Sequence, residues 1–205
     1  MNKAIRPALR IERLAGPGLR ALLPEVARLR IEVFRDWPYL YEGDQDSEAR
    51  FLAAFSASPG AVVVLARAGD AVVGAATCQP MTEAPAAVQA PFLAAGMDPA
   101  RLCYFGESVL RASHRGQGAG VAFFEQRLAA AREAGLTQAA FCAVRRDAAD
   151  PRRPTGHAPL DGFWGKRGFA PAPGLAIRMG WREVGGGAEV PHWLDVWLRE
   201  LGPAA

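Results

Sequence analysis

Residue types that often signal catalysis or folding chemistry are scarce in this 205-residue chain. Cysteine occurs only at Cys78, Cys103 and Cys142, an odd number with no Cys-x-x-Cys pair. That excludes a disulfide framework and reads as reduced thiols in a cytoplasmic protein. Histidine occurs only at His114, His157 and His192, far apart in sequence. A zinc site needs clustered Cys and His ligands, so no metal is expected. Charge of one sign is also lacking. Against 24 Lys and Arg stand 21 Asp and Glu, a net +3 that gives no argument for nucleic acid. No stretch approaches the roughly 18 apolar residues of a membrane span. Lys3, Arg6 and Arg10 are not followed by the apolar core of a signal peptide. No internal repeat of about 20–50 residues is present.

What is present is enough for a core: half the residues are hydrophobic and 22% are charged. Periodicity suggests one α/β domain over residues 1–205. Residues 8–14 alternate like a strand, and 19–35 carry Leu22, Leu23, Val26, Leu29 and Val33 at helical spacing. An aromatic and acidic loop follows. A second helix is expected from a Ser47 cap, with Phe51, Leu52 and Phe55 inward. Residues 61–67 and 71–78 read as a hairpin, 80–100 as a loop with a short helix near Pro91–Ala95, and 101–111 as a strand. Residues 119–134 are expected to be helical, with Val121, Phe124, Leu128 and Ala131 inward and Arg127 and Glu133 toward solvent. Then come a strand at 138–144, an arginine-rich loop at 145–156, a short helix at 159–167, and strands at 175–183 and 191–200.

The segment Arg115-Gly116-Gln117-Gly118-Ala119-Gly120 sits between a strand and an amphipathic helix. A helix start leaves backbone N–H groups unpaired and carries partial positive charge, and glycines let an anion come close. The product is an anion site suited to a diphosphate. No Lys-Ser/Thr follows, so it is no Walker A loop. Counted from Gly116, Val121 occupies the third glycine position of the dinucleotide fingerprint, and no repeated βαβ array follows.

The hexapeptide instead resembles the acetyl-CoA signature Gln/Arg-x-x-Gly-x-Gly/Ala of the GNAT superfamily, the GCN5-related N-acetyltransferases. Arg115, Gly118 and Gly120 fill its fixed places. Residues 160–169, ending in Lys166-Arg167-Gly168-Phe169, resemble the family's second signature. The resemblance runs through the element order from residue 9 to residue 200. It implies a mixed, mostly antiparallel sheet of six to seven strands, flanked by about four helices and splayed at its centre. It implies acetyl-CoA as co-substrate, held by Ser108, Val109, Leu110, Arg115, Gly116, Gln117, Gly118, Ala119, Gly120 and Trp164. The Leu110 N–H would meet the thioester oxygen. Glu107 is the candidate base. Relatives often place an acid Tyr where this chain has Trp164, so Tyr104, or Tyr39 or Tyr41, is the substitute candidate. His157 falls near a CoA-contacting Asn of many relatives, and the arginines at 145–153 could reach the CoA 3′-phosphate.

The acceptor side is expected in the loop carrying Asp36, Trp37, Tyr39, Tyr41, Glu42, Asp44 and Asp46. Carboxylates and aromatic rings there suit a cationic amine, whether a small molecule or a protein amine. No membrane or nucleic-acid partner is expected, and a homodimer through the C-terminal strands is one state the resemblance allows. Three readings stay open: an active N-acetyltransferase, a catalytically weak acyl-CoA-binding regulatory domain, and a nucleotide-binding domain of another class.

Overall fold

Alternating and β-branched sequence builds the first three strands: β1 (Arg10–Ala15), β2 (Val62–Ala68) and β3 (Ala71–Pro80). The computed structural model describes residues 8–202, so Lys3 and Arg6 lie outside the described residues. Strands β4 (Leu102–Leu110), β5 (Gln138–Val144), β6 (Ala170–Arg182) and β7 (Glu189–Glu200) complete one seven-stranded sheet, ordered β1-β2-β3-β4-β5-β7-β6. Every pairing is antiparallel except β4 with β5.

Among the described residues five α-helices cover the sheet, against the four or so expected: α1 (Leu23–Phe34), α2 (Gln45–Ser56), α3 (Ala86–Ala94), α4 (Ala119–Glu133) and α5 (Asp161–Gly165). Val26 and Leu29 of α1, Leu52 of α2, and Val88 and Phe92 of α3 belong to the core on one face. Phe123, Phe124, Leu128 and Ala131 of α4, with Phe163 and Trp164 of α5, pack on the other. Among the described residues no helix is long and apolar enough to cross a membrane.

The central strands part company. β4 and β5 pair only from Leu102↔Gln138 to Phe105↔Phe141. Beyond that point β4 stays with β3 as far as Leu110↔Gly74, and β5 stays with β7 as far as Val144↔Leu194. A wedge therefore opens between them toward their C-terminal ends, as the family resemblance implied.

Several local expectations need correction. The first helix was expected from residue 19, but Gly16–Leu22 form a 3-10 turn and α1 starts at Leu23. Pro24, which lacks an N–H, fits the first turn where no donor is needed. The cap of α2 is Asp44, not Ser47: the Ser47 N–H donates to Asp44 Oδ1 at 2.9 Å. Phe51 is 42% exposed because Glu48, three residues earlier, takes the inward position of α2. In α4, Val121 is exposed and Arg127 is 1% exposed, the reverse of the expected orientation. The site explains why.

Candidate functional site

Register creates the first special feature of β4. Ala76 pairs with Ser108 and Cys78 with Phe105, so Thr77 faces both Gly106 and Glu107 in a β-bulge. A Cβ at Gly106 would stand 2.4 Å from Thr77 Oγ1, so the bulge needs glycine there. The Glu107 N–H donates to Thr77 Oγ1 at 3.3 Å. Arg127 Nη1 reaches the Thr77 and Glu107 carbonyls, each at 3.4 Å, and Nε donates to Phe123 O at 3.1 Å. Its guanidinium lies between Phe105 and Phe124, 4.4 and 4.9 Å from their centroids. Arg127 is inward because the bulge releases carbonyls that need a donor. Burial lowers its pKa to about 10, so it is still a cation at neutral pH.

The bulge also rotates the side chains that follow it. Tyr104 and Glu107 come to lie on the face of α1, where Val109 joins the α1 core, while Leu110 turns to α4. The Arg111 N–H donates to Val73 O at 2.9 Å. Because antiparallel pairing alternates, Val109 also presents its backbone to β3, and the backbone groups of Ser108 and Leu110 point the other way, into the wedge. Arg115 Nε approaches Leu110 O at 3.4 Å across its mouth.

The glycine-rich segment begins α4 as expected. Gly116 and Gly118 have φ of 76° and 85°, left-handed values that favour glycine. Gly118 caps the helix with no side-chain bond to the first-turn N–H groups. Ala119 is buried, a Cβ on Gly120 would lie 3.2 Å from Phe163, and the buried Gln117 Nε2 has no hydrogen-bond partner. Trp164 stands edge-on to Phe141 and Trp197, centroids 5.0 Å away in both cases.

On the α1 face the structure gathers Glu107, Tyr104 and Tyr39. Glu107 is 7% exposed, and its Oε2 lies 2.8 Å from Arg30 Nη1. Burial, with Cys142, Tyr39 and Glu107 adding to it, holds the Tyr104 phenol well above its ordinary pKa. Burial also pushes Tyr39 up to about 12. Tyr41 is pushed to about 12 by burial and by Glu48, to which its hydroxyl is bonded. Glu42 is not brought to this cluster: it pairs with Arg35.

The loop between α1 and α2 is clamped from the far end of the sheet. Arg146 Nε donates to Pro38 O at 2.6 Å and Nη2 to Tyr39 O at 2.7 Å, while Nη1 pairs with Glu183. Trp181 Nε1 adds a bond to Tyr39 O at 3.0 Å. Tyr41 bridges to Glu183, and the Glu42 N–H donates to Arg182 O at 2.8 Å. The arginine-rich loop is therefore largely occupied: Arg145 pairs with Asp195, and Arg152 with Asp150 and Glu183. Burial works to raise Glu183, but hydrogen bonds from Arg152 and Arg146 outweigh it and leave the carboxyl below its ordinary range. His192 stacks on Trp181 at 3.7 Å, and burial followed by the Arg146 charge lowers its pKa.

Trp37 goes elsewhere. With Asp36, Arg115 and His157 it lines a cleft of about 390 Å³ between the loop from α1 to α2 and the glycine-rich loop. Its ring meets His157 edge-on at 6.0 Å. Among the described residues no group of three His, Cys, Asp or Glu could hold a metal.

Sequence reasoning missed Arg30, Glu48, Arg127, Arg146 and Glu183. The first three left a trace, since each sits four residues from a buried apolar position: Arg30 from Val26, Glu48 from Leu52, Arg127 from Phe123. A charge in phase with the apolar stripe is the signal for a buried polar network. Arg146 and Glu183 left none, because they lie in different loops.

Comparison with known proteins bears on this geometry. The model of the acetyltransferase (GNAT) family matches residues 26–153. No curated protein matches the chain. YncA of Salmonella typhimurium, solved with acetyl-CoA, is similar in fold at 15% identity and TM-score 0.59, with 97% of each chain covered. A ribosomal-protein-alanine N-acetyltransferase from Brucella melitensis superposes at TM-score 0.60 and 15% identity, covering 93% of this chain and 99% of that one. An aminoglycoside 6′-N-acetyltransferase in complex with coenzyme A gives 0.59 and 14%, covering 96% and 99%. At these identities the likeness is one of fold.

Proposed function

The chain belongs to the acetyltransferase (GNAT) family, and from that premise we propose that it moves the acetyl group of acetyl-CoA onto a primary amine by direct attack. The observation that carries the reading is the wedge between β4 and β5, with the start of α4, whose first turn has no side-chain cap, beside it. The residues fit the co-substrate. The first-turn N–H groups of α4 and the unpartnered Gln117 Nε2 suit a pyrophosphate, with Arg115 at the rim. The inward-turned backbone of Ser108 and Leu110 suits an amide-bearing arm. Trp164 contributes as a wall of this region. When bound, acetyl-CoA supplies an activated acyl carbon and a thiol leaving group.

Glu107 is the base that takes the proton the acceptor nitrogen must lose, directly or through water; its buried Oε1, without a partner, supports this role. Tyr104, kept protonated by burial, serves as the donor to the departing sulfur. Tyr39, Tyr41 and Trp37 line the acceptor approach, and Glu42 lies at its outer edge. The acceptor is a cationic small molecule or a lysine or N-terminal amine. The free thiols support a reducing, cytoplasmic setting, and the edge strand β6 supports pairing of two copies.

Thiol release from acetyl-CoA across a panel of amines tests the reading. Glu107→Gln should lower kcat by roughly 10²–10³-fold with little change in the acetyl-CoA KM. A second reading, a catalytically weak acyl-CoA-binding regulatory domain, is favoured by the indole at 164. Tight acetyl-CoA binding without thiol release for any amine would select it.

A further inference from the structure

Cys142 sits where β4 and β5 part. The last pair of the two strands is Phe105↔Phe141, so Cys142 is the first β5 residue beyond it, paired on its other side with Val196 of β7. Side chains alternate along β5, which puts Cys142 on the face of Tyr104, and both pack against the cluster of Phe92, Ile177 and Val196. The Tyr104 hydroxyl donates to Cys142 Sγ. A stronger neutral acceptor lies on the β3 side of the ring. Gln79 is the direct cross-strand neighbour of Tyr104, and its Oε1 is buried with no partner. The phenol therefore turns away from β3 and toward the apex of the wedge. Burial pushes the Cys142 thiol up to about 12 and holds the Tyr104 phenol well above its ordinary value. Both groups stay protonated at neutral pH, so the thiol is neither base nor nucleophile there.

We propose that Cys142 is a positioning residue: its sulfur holds the Tyr104 hydroxyl at the apex of the wedge, aimed to protonate the leaving sulfur of acetyl-CoA. The inference rests on the acid role given to Tyr104 above and adds the group that aims it. Sulfur is a weak hydrogen-bond acceptor, so the bond fixes a direction and is given up readily. In the transfer the nitrogen–carbon bond forms and the carbon–sulfur bond breaks. The electron pair of the broken bond stays on sulfur, which takes the Tyr104 proton. The proton that Glu107 removes from nitrogen is returned through solvent to the phenol oxygen, so the chain ends unchanged.

The test uses the full chain. Tyr104 is one of three tyrosines, so tyrosine labelled with carbon-13 at Cζ gives three NMR signals, and Tyr104→Phe assigns one of them. In the free protein Cys142→Ala should shift the Tyr104 signal and leave the Tyr41 signal in place. An unmoved Tyr104 signal overturns the inference. In thiol-release assays Tyr104→Phe should lower kcat about 10²-fold. Cys142→Ala should lower it about tenfold, with the acetyl-CoA KM within about twofold. Cys142→Ser keeps an acceptor and should stay within about threefold of the wild type. Cys142→Ala combined with Tyr104→Phe should be no slower than Tyr104→Phe alone, because no acid is left to position. Additive losses, a Cys142→Ala protein at the wild-type rate, or a Cys142→Ser protein as slow as Cys142→Ala would each overturn the inference. If Cys142→Ala does not fold, as circular dichroism would show, Cys142→Val also lacks an acceptor and takes its place under the same expectations. The underlying reading fails differently. Tyr104→Phe at the wild-type rate removes the acid role, and no thiol release with any amine removes acetyl transfer; either result takes the inference with it.

Discussion

Replacing Arg146 with Met should loosen the loop between α1 and α2, the proposed acceptor loop, while sparing the proposed cofactor groove. Arg146 satisfies two backbone carbonyls, Pro38 O at 2.6 Å and Tyr39 O at 2.7 Å, and pairs with Glu183. The two side chains are 11% and 15% exposed, so water screens the pair little. Hydrogen bonds from a charged donor contribute about 1.5–3 kcal/mol each, and breaking a buried pair costs about 3–5 kcal/mol. Trp181 still serves Tyr39 O and Arg152 still serves Glu183, which keeps the loss near the low end, about 3 kcal/mol. For a domain of this size that corresponds to a Tm lower by roughly 6–12 °C. If the loop opens locally instead, amide exchange at Tyr41 and Glu42 should speed up by about 10²-fold, tenfold for each 1.4 kcal/mol. The acceptor KM should rise about tenfold and the acetyl-CoA KM should stay within about twofold, since only positioning of the acceptor is lost. Arg146→Lys should rescue only in part, because an ammonium lacks the planar fork. Unchanged Tm, exchange and acceptor KM together would refute the reasoning.

Other expectations follow from single features. Gly118→Ala forces a side chain onto φ 85°, at about 1–2 kcal/mol, and disturbs the first-turn N–H groups. The acetyl-CoA KM should rise, and an unaltered KM would detach this turn from cofactor binding. Gly106→Val drives a Cβ into Thr77 Oγ1, so both Tm and kcat should fall; a variant with native stability and rate would remove the bulge from the account. His192 should titrate below 6.5 by imidazole NMR, because burial and then Arg146 disfavour its charged form. A depressed histidine contributes stability that is present above the unfolded pKa and lost as pH falls below about 6.5. In Arg146→Met the His192 pKa should move up, and a value above 6.5 in the wild type would contradict the stacking environment.

The elements themselves were largely legible in the sequence. β-branched runs marked β2 and β3, and the strand–glycine loop–helix order marked β4 and α4 with boundaries correct to within a residue or two. The glycine turn that opens α4 was legible because it depends on backbone and glycine, which local sequence reports directly. What local periodicity could not report was the β-bulge, since it depends on the register between β3 and β4. The bulge in turn decided that Arg127 is buried, and an arginine on a wheel of alanines reads as solvent-facing without that knowledge. The Asp44 cap was missed for a different reason: Ser47 has the right chemistry, and only the chain direction entering α2 chooses between them. The clamp on the acceptor loop joins residues more than a hundred positions apart, beyond any local pattern.

The clamp has a bearing on how acceptor preference could be exchanged between related chains. The proposed cofactor groove is fastened through α4, whose first turn is the proposed anion site and whose Arg127 bonds the Thr77 and Glu107 carbonyls of β3 and β4. The loop between α1 and α2, the proposed acceptor loop, is fastened separately, to Arg146 and Trp181 near the ends of β5 and β6, with Glu183 holding Arg146. A graft of residues 36–44 alone would therefore arrive without its moorings, whereas one that brought the partners of Pro38 and Tyr39 along would transplant as a unit. The groove for the acyl donor would be left intact in both cases.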